Sequence, residues 1–357
     1  RRLSMSTVSK TDFGRTIQEL IARQPLREEE SYTLFSELLS GNQSGQQEGA
    51  FLAALAAKGE TVEEIAGACR AILDYDTLRS QPLPPEQLFE NCGTGMDRVK
   101  TFNVSTAAAV IGAAAGLHIA RHGSRGLSSP CGTVDLLEAV GIDVECKTER
   151  VEESIRRSGI GLYNGMSAEV HPKSLARILS QIQFGTTFNI AASLAHPCRV
   201  GNAVRGVYSE NLVGKTASIM QQLGYQKAVI VNGKDKNGES SVDEVSPAGE
   251  TSVCELLPGG EIKSYRVHPE DFGITPISLE EVRTSGSVKT EQKRFLSVLR
   301  GKGPQAVLDF TCINAGALLY CAGLVFSYRD GTEYARELVR KGKAFAKFRE
   351  WLLIQGR

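Results

Sequence analysis

The sequence predicts an α/β protein carrying a small all-helical unit at its start. Residues 11 to about 80 repeat apolar positions at spacings of three and four, with no strand-like alternation. The stretch RSQPLPPEQ, residues 79–87, holds three prolines and breaks that pattern. Beyond it, short β-rich runs alternate with helices, the order expected of a sheet with helices on its faces. The 357 residues are too many for one small domain and suit two. The expected domains are 1–80 and 86–357.

Within the first unit, TIQELIARQPL, YTLFSELLSG, EGAFLAALAAKG and TVEEIAGACRAILDY each read as a helix, with Gly and Asn at the breaks. In the second, LFENCGTG reads as a strand entering a glycine loop, and STAAAVIGAAAGL as the helix after it. HIARHGS is a second strand and loop, TVDLLEAVGI a helix, and KAVIVNG an apolar strand preceded by the helical ASIMQQLGY. A hairpin-rich stretch spans SVDEVSPAGETSVCELLPGGEIKSYRV, and helices return from Thr290, among them INAGALLYCAGL.

Lysine plus arginine equals aspartate plus glutamate, 41 each, so no global charge steers the chain to nucleic acid or an anionic membrane. Eight cysteines stand singly, with no CxxC pair, the pattern of buried thiols in a reducing compartment. Five histidines show no zinc-ligand spacing. The opening RRLSMSTVSK is not followed by the apolar core of a secretory signal, and residues 1–4 are expected to be a processed end or an appended remnant. The longest uncharged apolar run, Thr106 to Ala120, is too short and too rich in Gly and Ala to span a bilayer. A cytoplasmic protein is expected.

Three constellations carry chemistry. In Gly93-Thr94-Gly95-Met96-Asp97, followed by Thr101, Asn103, Ser105 and Thr106, glycines admit a bulky anion close to the backbone. The free N–H groups of the helix start favour negative charge there. Asp97 suits a ribose hydroxyl or support of a metal. The plainer reading is a strand–turn–helix with an N-cap. In Arg121-His122-Gly123-Ser124-Arg125-Gly126, with Ser128, Ser129, Gly132 and Thr133 beyond, two arginines and several hydroxyls form a cationic cradle suited to a diphosphate. The alternative is a solvated basic loop, and His122 reads as a neutral wall or donor. Asp243-Glu244 would face opposite ways on an extended segment and suit a divalent ion, though a lone pair of this kind is common on surfaces. Walker, GxGxxG and HExxH patterns are absent. Two anion loops and a carboxylate pair point to a diphosphate ester, and the residues alone go no further.

The chain resembles the anthranilate phosphoribosyltransferase family over nearly its whole length. AFLAALAAKGETVEEIAG is similar to that family's early helices, and GTGMDRVKTFNVSTAAA to its GTGGD…FN[IV]ST loop. RHGSRGLSS resembles its KHGNR loop, VDEVS its magnesium-binding pair, and INAGALLYCAGL its late helix. The resemblance implies a helical domain that makes a homodimer contact and is joined in space by helices near 172–200. It also implies a larger α/β domain with a mainly parallel central sheet, of the nucleoside phosphorylase-like phosphoribosyltransferase fold. The implied activity is transfer of phosphoribose from phosphoribosyl diphosphate to anthranilate, with inversion at C1, in tryptophan biosynthesis. Gly93, Met96, Asp97, Thr101, Asn103, Ser105, Thr106, Arg121, His122, Gly123, Arg125, Ser129 and Thr133 would meet the donor. Ser105, Asp243 and Glu244 would hold up to two Mg2+ ions. No side chain is implied as an acid or base.

The acceptor half departs from the family. Glycine of GTGGD is Met96, asparagine of KHGNR is Ser124, and the arginine expected before Phe188-Asn189 falls at Leu179 or Gln181. Arg177 is the nearest cation, so Gly93, Ser124 and Arg177 are the acceptor candidates. The departures leave open a divergent paralogue acting on another aromatic amine or N-heterocycle. A non-catalytic nucleic-acid-binding paralogue is the alternative of another class, opposed by the zero net charge and the intact donor residues.

Overall fold

The structure, a computed structural model, describes residues 8–97, 99–126, 130–182 and 184–357. It divides into two compact units, one of Arg1–Arg79 with Gly165–Pro197, the other of Ser80–Asn164 with Cys198–Arg357. The span 86–357 is therefore interrupted, and its middle belongs with the helices.

The helical unit contains α1 (Lys10–Ile21), α2 (Glu28–Leu39), α3 (Gly45–Lys58) and α4 (Val62–Tyr75), then, from the inserted segment, α8 (Leu175–Ile182) and α9 (Thr187–Leu194). Gly67 lets α4 cross α2 closely, since a Cβ there would lie 2.4 Å from the Glu28 carbonyl oxygen. Thr61 and Glu64 form the capping box that starts α4. The Glu64 carboxylate also pairs with Lys58 at 2.8 Å in the interior. The inserted segment is fastened at two points. Buried Asp76 accepts from the Lys173 and Leu175 amides, each at 2.6 Å, capping α8 from far away in the chain. Phe188 meets Phe35 edge-on, with ring centroids 4.9 Å apart.

The second unit is built on an eight-stranded sheet, counted among the described residues. Its strands are β1 (Leu88–Gly93), β2 (His118–Gly123), β3 (Ile160–Asn164), β4 (Asn202–Gly206), β5 (Lys227–Lys234), β6 (Ser241–Val242), β7 (Thr251–Leu256) and β8 (Ile262–Val267). The order is β3-β2-β1-β4-β5-β7-β8, with β6 beside β5. The first five in that order are parallel and the β5-β7-β8 edge is antiparallel. Strand order reverses direction between β1 and β4. In open parallel sheets, ligands bind beyond the carboxyl ends of the strands at such a point.

The helices of this unit are α5 (Val104–Ala114), α6 (Thr133–Ala139), α7 (Thr148–Ser158), α10 (Asn211–Gln222), α11 (Val288–Leu299), α12 (Gln305–Cys321), α13 (Tyr328–Arg340) and α14 (Lys343–Gln355). Nearly all of α5 is buried, which explains its alanines: small side chains let it lie in the core between the sheet and α12. Gly112 adds to this close packing, because a Cβ there would meet a Leu318 methyl at 2.7 Å and make that side chain shift. The eight cysteines are free thiols. Among the described residues no helix is long and apolar enough to cross a membrane.

One ion pair of the sheet lies wholly inside. Arg205 on β4 pairs through Nη2 with Glu90 on β1, and the Tyr225 hydroxyl donates to the same Glu90 oxygen at 2.8 Å. Arg205 and Glu90 are 0% and 1% exposed, so a single substitution strands a charge in the interior. Glu90→Gln is expected to cost about 3–5 kcal/mol of unfolding free energy in urea titrations. The double variant Glu90→Leu/Arg205→Met should cost less than either single change, because no unpaired charge remains.

Candidate functional site

The glycine loop leaves β1 where the strand order reverses. Gly93 and Gly206 are register partners on β1 and β4, and both face Asp243. A Cβ on Gly93 would lie 2.1 Å from Asp243 Oδ2, and one on Gly206 only 1.5 Å from the Asp243 carbonyl oxygen. Only glycine permits this approach. Gly95, at φ +69°, turns its N–H to Asp243 Oδ2 at 2.6 Å. The two strand-end loops are tied together as well: Thr94 N–H donates to the Gly206 carbonyl at 3.2 Å, and Tyr208 N–H to Thr94 Oγ1 at 3.1 Å.

This closure gathers carboxylates. Oxygens of Asp97, Asp243 and Glu244 all lie within 4.8 Å of one another. Lys100 Nζ sits 3.1 Å from Asp97 Oδ1 and donates to the Gly95 carbonyl at 2.9 Å, while Thr101 Oγ1 donates to Glu244 Oε1 at 3.3 Å. Glu244 Oε2 is buried without a hydrogen-bond partner. Burial, with repulsion from Asp243, pushes the Asp97 carboxyl above its ordinary range. Burial also raises Asp243. It raises Glu244 strongly, with added repulsion from Asp243 and Asp97. Three hard oxygen donors with an unpartnered buried atom fit a divalent cation such as Mg2+.

The adjoining helix start is cross-braced from below. Arg121 on β2 is 1% exposed and donates through Nη1 to the Asn91 carbonyl (2.7 Å), Asn91 Oδ1 (2.8 Å) and the Ser105 carbonyl (2.9 Å). Its Nη2 reaches Thr106 Oγ1 at 3.2 Å and Ser105 Oγ at 3.4 Å. Burial brings its pKa down to about 10, so it still carries its charge at neutral pH. Asn103 is the N-cap residue of α5, yet its side chain makes no capping bond and donates instead to the Cys131 carbonyl at 3.1 Å. The first amides of α5 thus have no side-chain cap.

The second loop departs from an open cationic cradle. Arg121 is enclosed in the protein. Arg125 donates to Glu138 at 2.6 Å and Asp135 at 3.2 Å, with Glu145 at 3.7 Å. Asp135 also accepts from the Gly126 and Gly132 amides at 2.8 and 2.9 Å, which folds the loop back on α6. His122 is buried on β2, Gly123 ends that strand against Thr133 at the start of α6, and Ser124 is exposed. Ser128 and Ser129 lie outside the described residues.

Other expected site residues fall elsewhere. The Ser105 hydroxyl is directed to Arg121, whereas Asp97 is the side chain grouped with Asp243 and Glu244. Arg177, on α8 of the helical unit, is not a free cation. Its guanidinium pairs with buried Glu48 at 3.0 and 3.2 Å and reaches Gln181 at 3.3 Å.

Three supports had no motif to mark them. Asn314, in the buried middle of α12, accepts from the Val245 amide at 3.0 Å and donates to its carbonyl at 3.2 Å, fixing the segment that carries Glu244. Segment 279–285 runs beside the glycine loop, with Phe102 N–H on the Val282 carbonyl at 2.8 Å and Thr284 N–H on the Lys100 carbonyl at 3.0 Å. Lys100 itself completes the carboxylate group.

With this geometry in view, the comparisons with known proteins are decisive. The glycosyl transferase family model for the α/β domain matches residues 85–345, and the one for the helical bundle domain matches 15–75. The chain belongs to the anthranilate phosphoribosyltransferase family. The enzyme of that name from Methanothermobacter thermautotrophicus is 36% identical over 347 residues, covering 95% of this chain and 97% of the relative. That from a Thermoanaerobacter species is 34% identical, covering 96% and 98%. The crystal structure of the Thermus thermophilus enzyme has a TM-score of 0.83 at 30% identity, covering 95% and 98%. The Saccharomyces cerevisiae enzyme, in complex with PRPP and Mg, has a TM-score of 0.82 at 25% identity, covering 96% and 97%.

Carboxyls raised by folding make stability pH-dependent. The folded state binds protons that the unfolded chain releases near pH ~4, so the cluster's penalty on folding grows as pH rises from there through the raised values. Without divalent ions, stability should fall on going from about pH 5.5 to about pH 8, and saturating Mg2+ should restore more of it at the higher pH. Thermal melts of the wild type and of Asp243→Asn/Glu244→Gln check this, the double variant being expected to show a flatter profile and little response to Mg2+.

Proposed function

We propose that the chain transfers the phosphoribosyl group of phosphoribosyl diphosphate to anthranilate, giving N-(5-phosphoribosyl)anthranilate and pyrophosphate in tryptophan biosynthesis. The observation that carries this reading is the buried carboxylate group of Asp97, Asp243 and Glu244, closed against a glycine loop that leads into an uncapped helix. Hard oxygen ligands together with a helix start suited to anions support a metal–diphosphate substrate.

Asp243 and Glu244 would hold Mg2+, up to two ions, and Ser105 would share one of them by turning its hydroxyl away from Arg121. When bound, Mg2+ offsets the charge that collects on the departing pyrophosphate. The rest falls to the chain. Gly93 and the backbone around Met96, the first amides of α5, and Thr101, Asn103, Ser105, Thr106, Ser129 and Thr133 receive donor oxygens. Asp97 faces the same substrate from the carboxylate side. Arg121 acts from beneath, holding Asn91, Ser105 and Thr106 in place. His122, Gly123 and Arg125 shape the second loop. As the C1–oxygen bond to pyrophosphate breaks, C1 gains oxocarbenium character and the acceptor nitrogen bonds from the opposite face, inverting that centre. An aromatic amine is neutral at pH 7 and loses its proton after attack, so no side chain need act as a strong base. Positioning and electrostatics account for the catalysis.

For the acceptor, the family-matched candidates are Gly93 and Ser124, and Arg177 is the candidate cation by its place in the sequence. The Arg177–Glu48 pair favours a second reading in which the donor chemistry is kept and the acceptor is an aromatic amine or N-heterocycle lacking a carboxylate. A cytoplasmic homodimer completes the proposal.

Anthranilate fluorescence, followed with phosphoribosyl diphosphate and Mg2+, tests it. Magnesium-dependent consumption is expected. Absent consumption with donor binding still measurable by calorimetry would transfer the proposal to the second acceptor class. Asp243→Asn/Glu244→Gln should lower turnover by at least about 100-fold with unchanged circular dichroism. Full activity in that variant would remove the metal assignment.

A further inference from the structure

We propose that Lys100 is a resident cation of the carboxylate group, holding the substrate-free site to a single divalent ion. The inference rests on the metal reading of Asp243 and Glu244 given above.

Lys100 reaches the group from within the same loop. Its Nζ lies 3.1 Å from Asp97 Oδ1 and donates to the Gly95 carbonyl at 2.9 Å. The other side of Gly95 donates its N–H to Asp243 Oδ2 at 2.6 Å. Both ends of the ion pair are sheltered, with side chains 19% and 5% exposed. The ammonium is therefore not a mobile surface charge. Its backbone is anchored too, since the Lys100 carbonyl accepts from Thr284 N–H at 3.0 Å. Among the described residues, Lys100 is the side-chain cation paired with this group.

The charge balance follows directly. With a cation bound to ionise them, the three carboxylates, whose oxygens lie within 4.8 Å of one another, would carry three negative charges, and Lys100 returns one of them. One divalent ion neutralises what is left. A second would enter a site already balanced and would have to displace the ammonium from Asp97, so it needs the additional negative charge of a bound diphosphate. Removing the ammonium leaves an uncompensated carboxylate in a sheltered place, and cation affinity should rise there.

Mn2+ takes the same hard oxygen ligands as Mg2+ and can be counted by electron paramagnetic resonance on the full chain without substrate. One Mn2+ per wild-type chain is expected. Lys100→Met should bind the first ion more tightly, on the order of tenfold or more, and admit a second. Lys100→Arg, which keeps the charge, should match the wild type, and Lys100→Gln offers a second neutral variant. Melting curves confirm that each is folded. Unchanged stoichiometry and affinity in both neutral variants would overturn the proposal. So would weaker binding, which would make Lys100 only a brace for Gly95. If the wild type and every variant fail to bind Mn2+, the metal reading itself falls and Lys100 falls with it, an outcome distinct from the other two.

Discussion

The site depends on one close approach, that of Asp243 to the ends of β1 and β4. Two glycines facing each other across the register leave a gap that no other residue allows, and the chain carrying Asp243 and Glu244 fills it. Everything chemical follows from that contact. It buries the carboxylates, sets them against Asp97, and turns the Gly95 amide toward Asp243. Burial without full pairing is costly, and the structure bears that cost at the place where a cation would relieve it.

The surroundings are organised to hold that approach against the repulsion it creates. Asn314 grips both backbone groups of Val245, so the segment bearing Glu244 cannot drift. Segment 279–285 lies along the other side of the glycine loop and fixes Lys100 and Phe102 by their backbones. Arg121 clamps the base of β1 to the start of α5 with five hydrogen bonds from one guanidinium. The alanine-rich character of α5 serves the same end, because small side chains let the helix lie buried in the core between the sheet and α12.

Much of this was legible in the sequence, and the exceptions have physical causes. The helices of the first unit carried plain periodicity and lie at α1 to α4, and LFENCGTG, HIARHGS and KAVIVNG are β1, β2 and β5. Strands β3 and β4 left no such mark. Each has five residues, all buried, and β4 contains Asn202 and Arg205, so neither alternation nor an apolar run appears. The sequence offers Asp97 to a ribose hydroxyl or in support of a metal, but its grouping with Asp243 and Glu244, with Lys100 beside it, is hidden there because the loop doubles back to face residues more than a hundred positions away. The partners of Arg121 and Arg125 were hidden for a related reason. A basic residue near glycines looks like an anion ligand, but its own partners, Asn91 for one and Asp135 with Glu138 for the other, are a tertiary matter.

That reassignment changes how an anion would be held here. The formal net charge is zero, and Arg205, Arg121 and Arg125 are all committed to internal partners. The attraction for a diphosphate must then come from elsewhere: from the uncapped amides of α5, whose partial charge needs no counter-ion, and from a cation seated on the carboxylates. Such a site would bind anions weakly while metal-free and more strongly once loaded, because the carboxylates repel phosphates until they are covered. Binding of metal and of diphosphate would then be coupled through electrostatics, each raising the affinity for the other by the same factor.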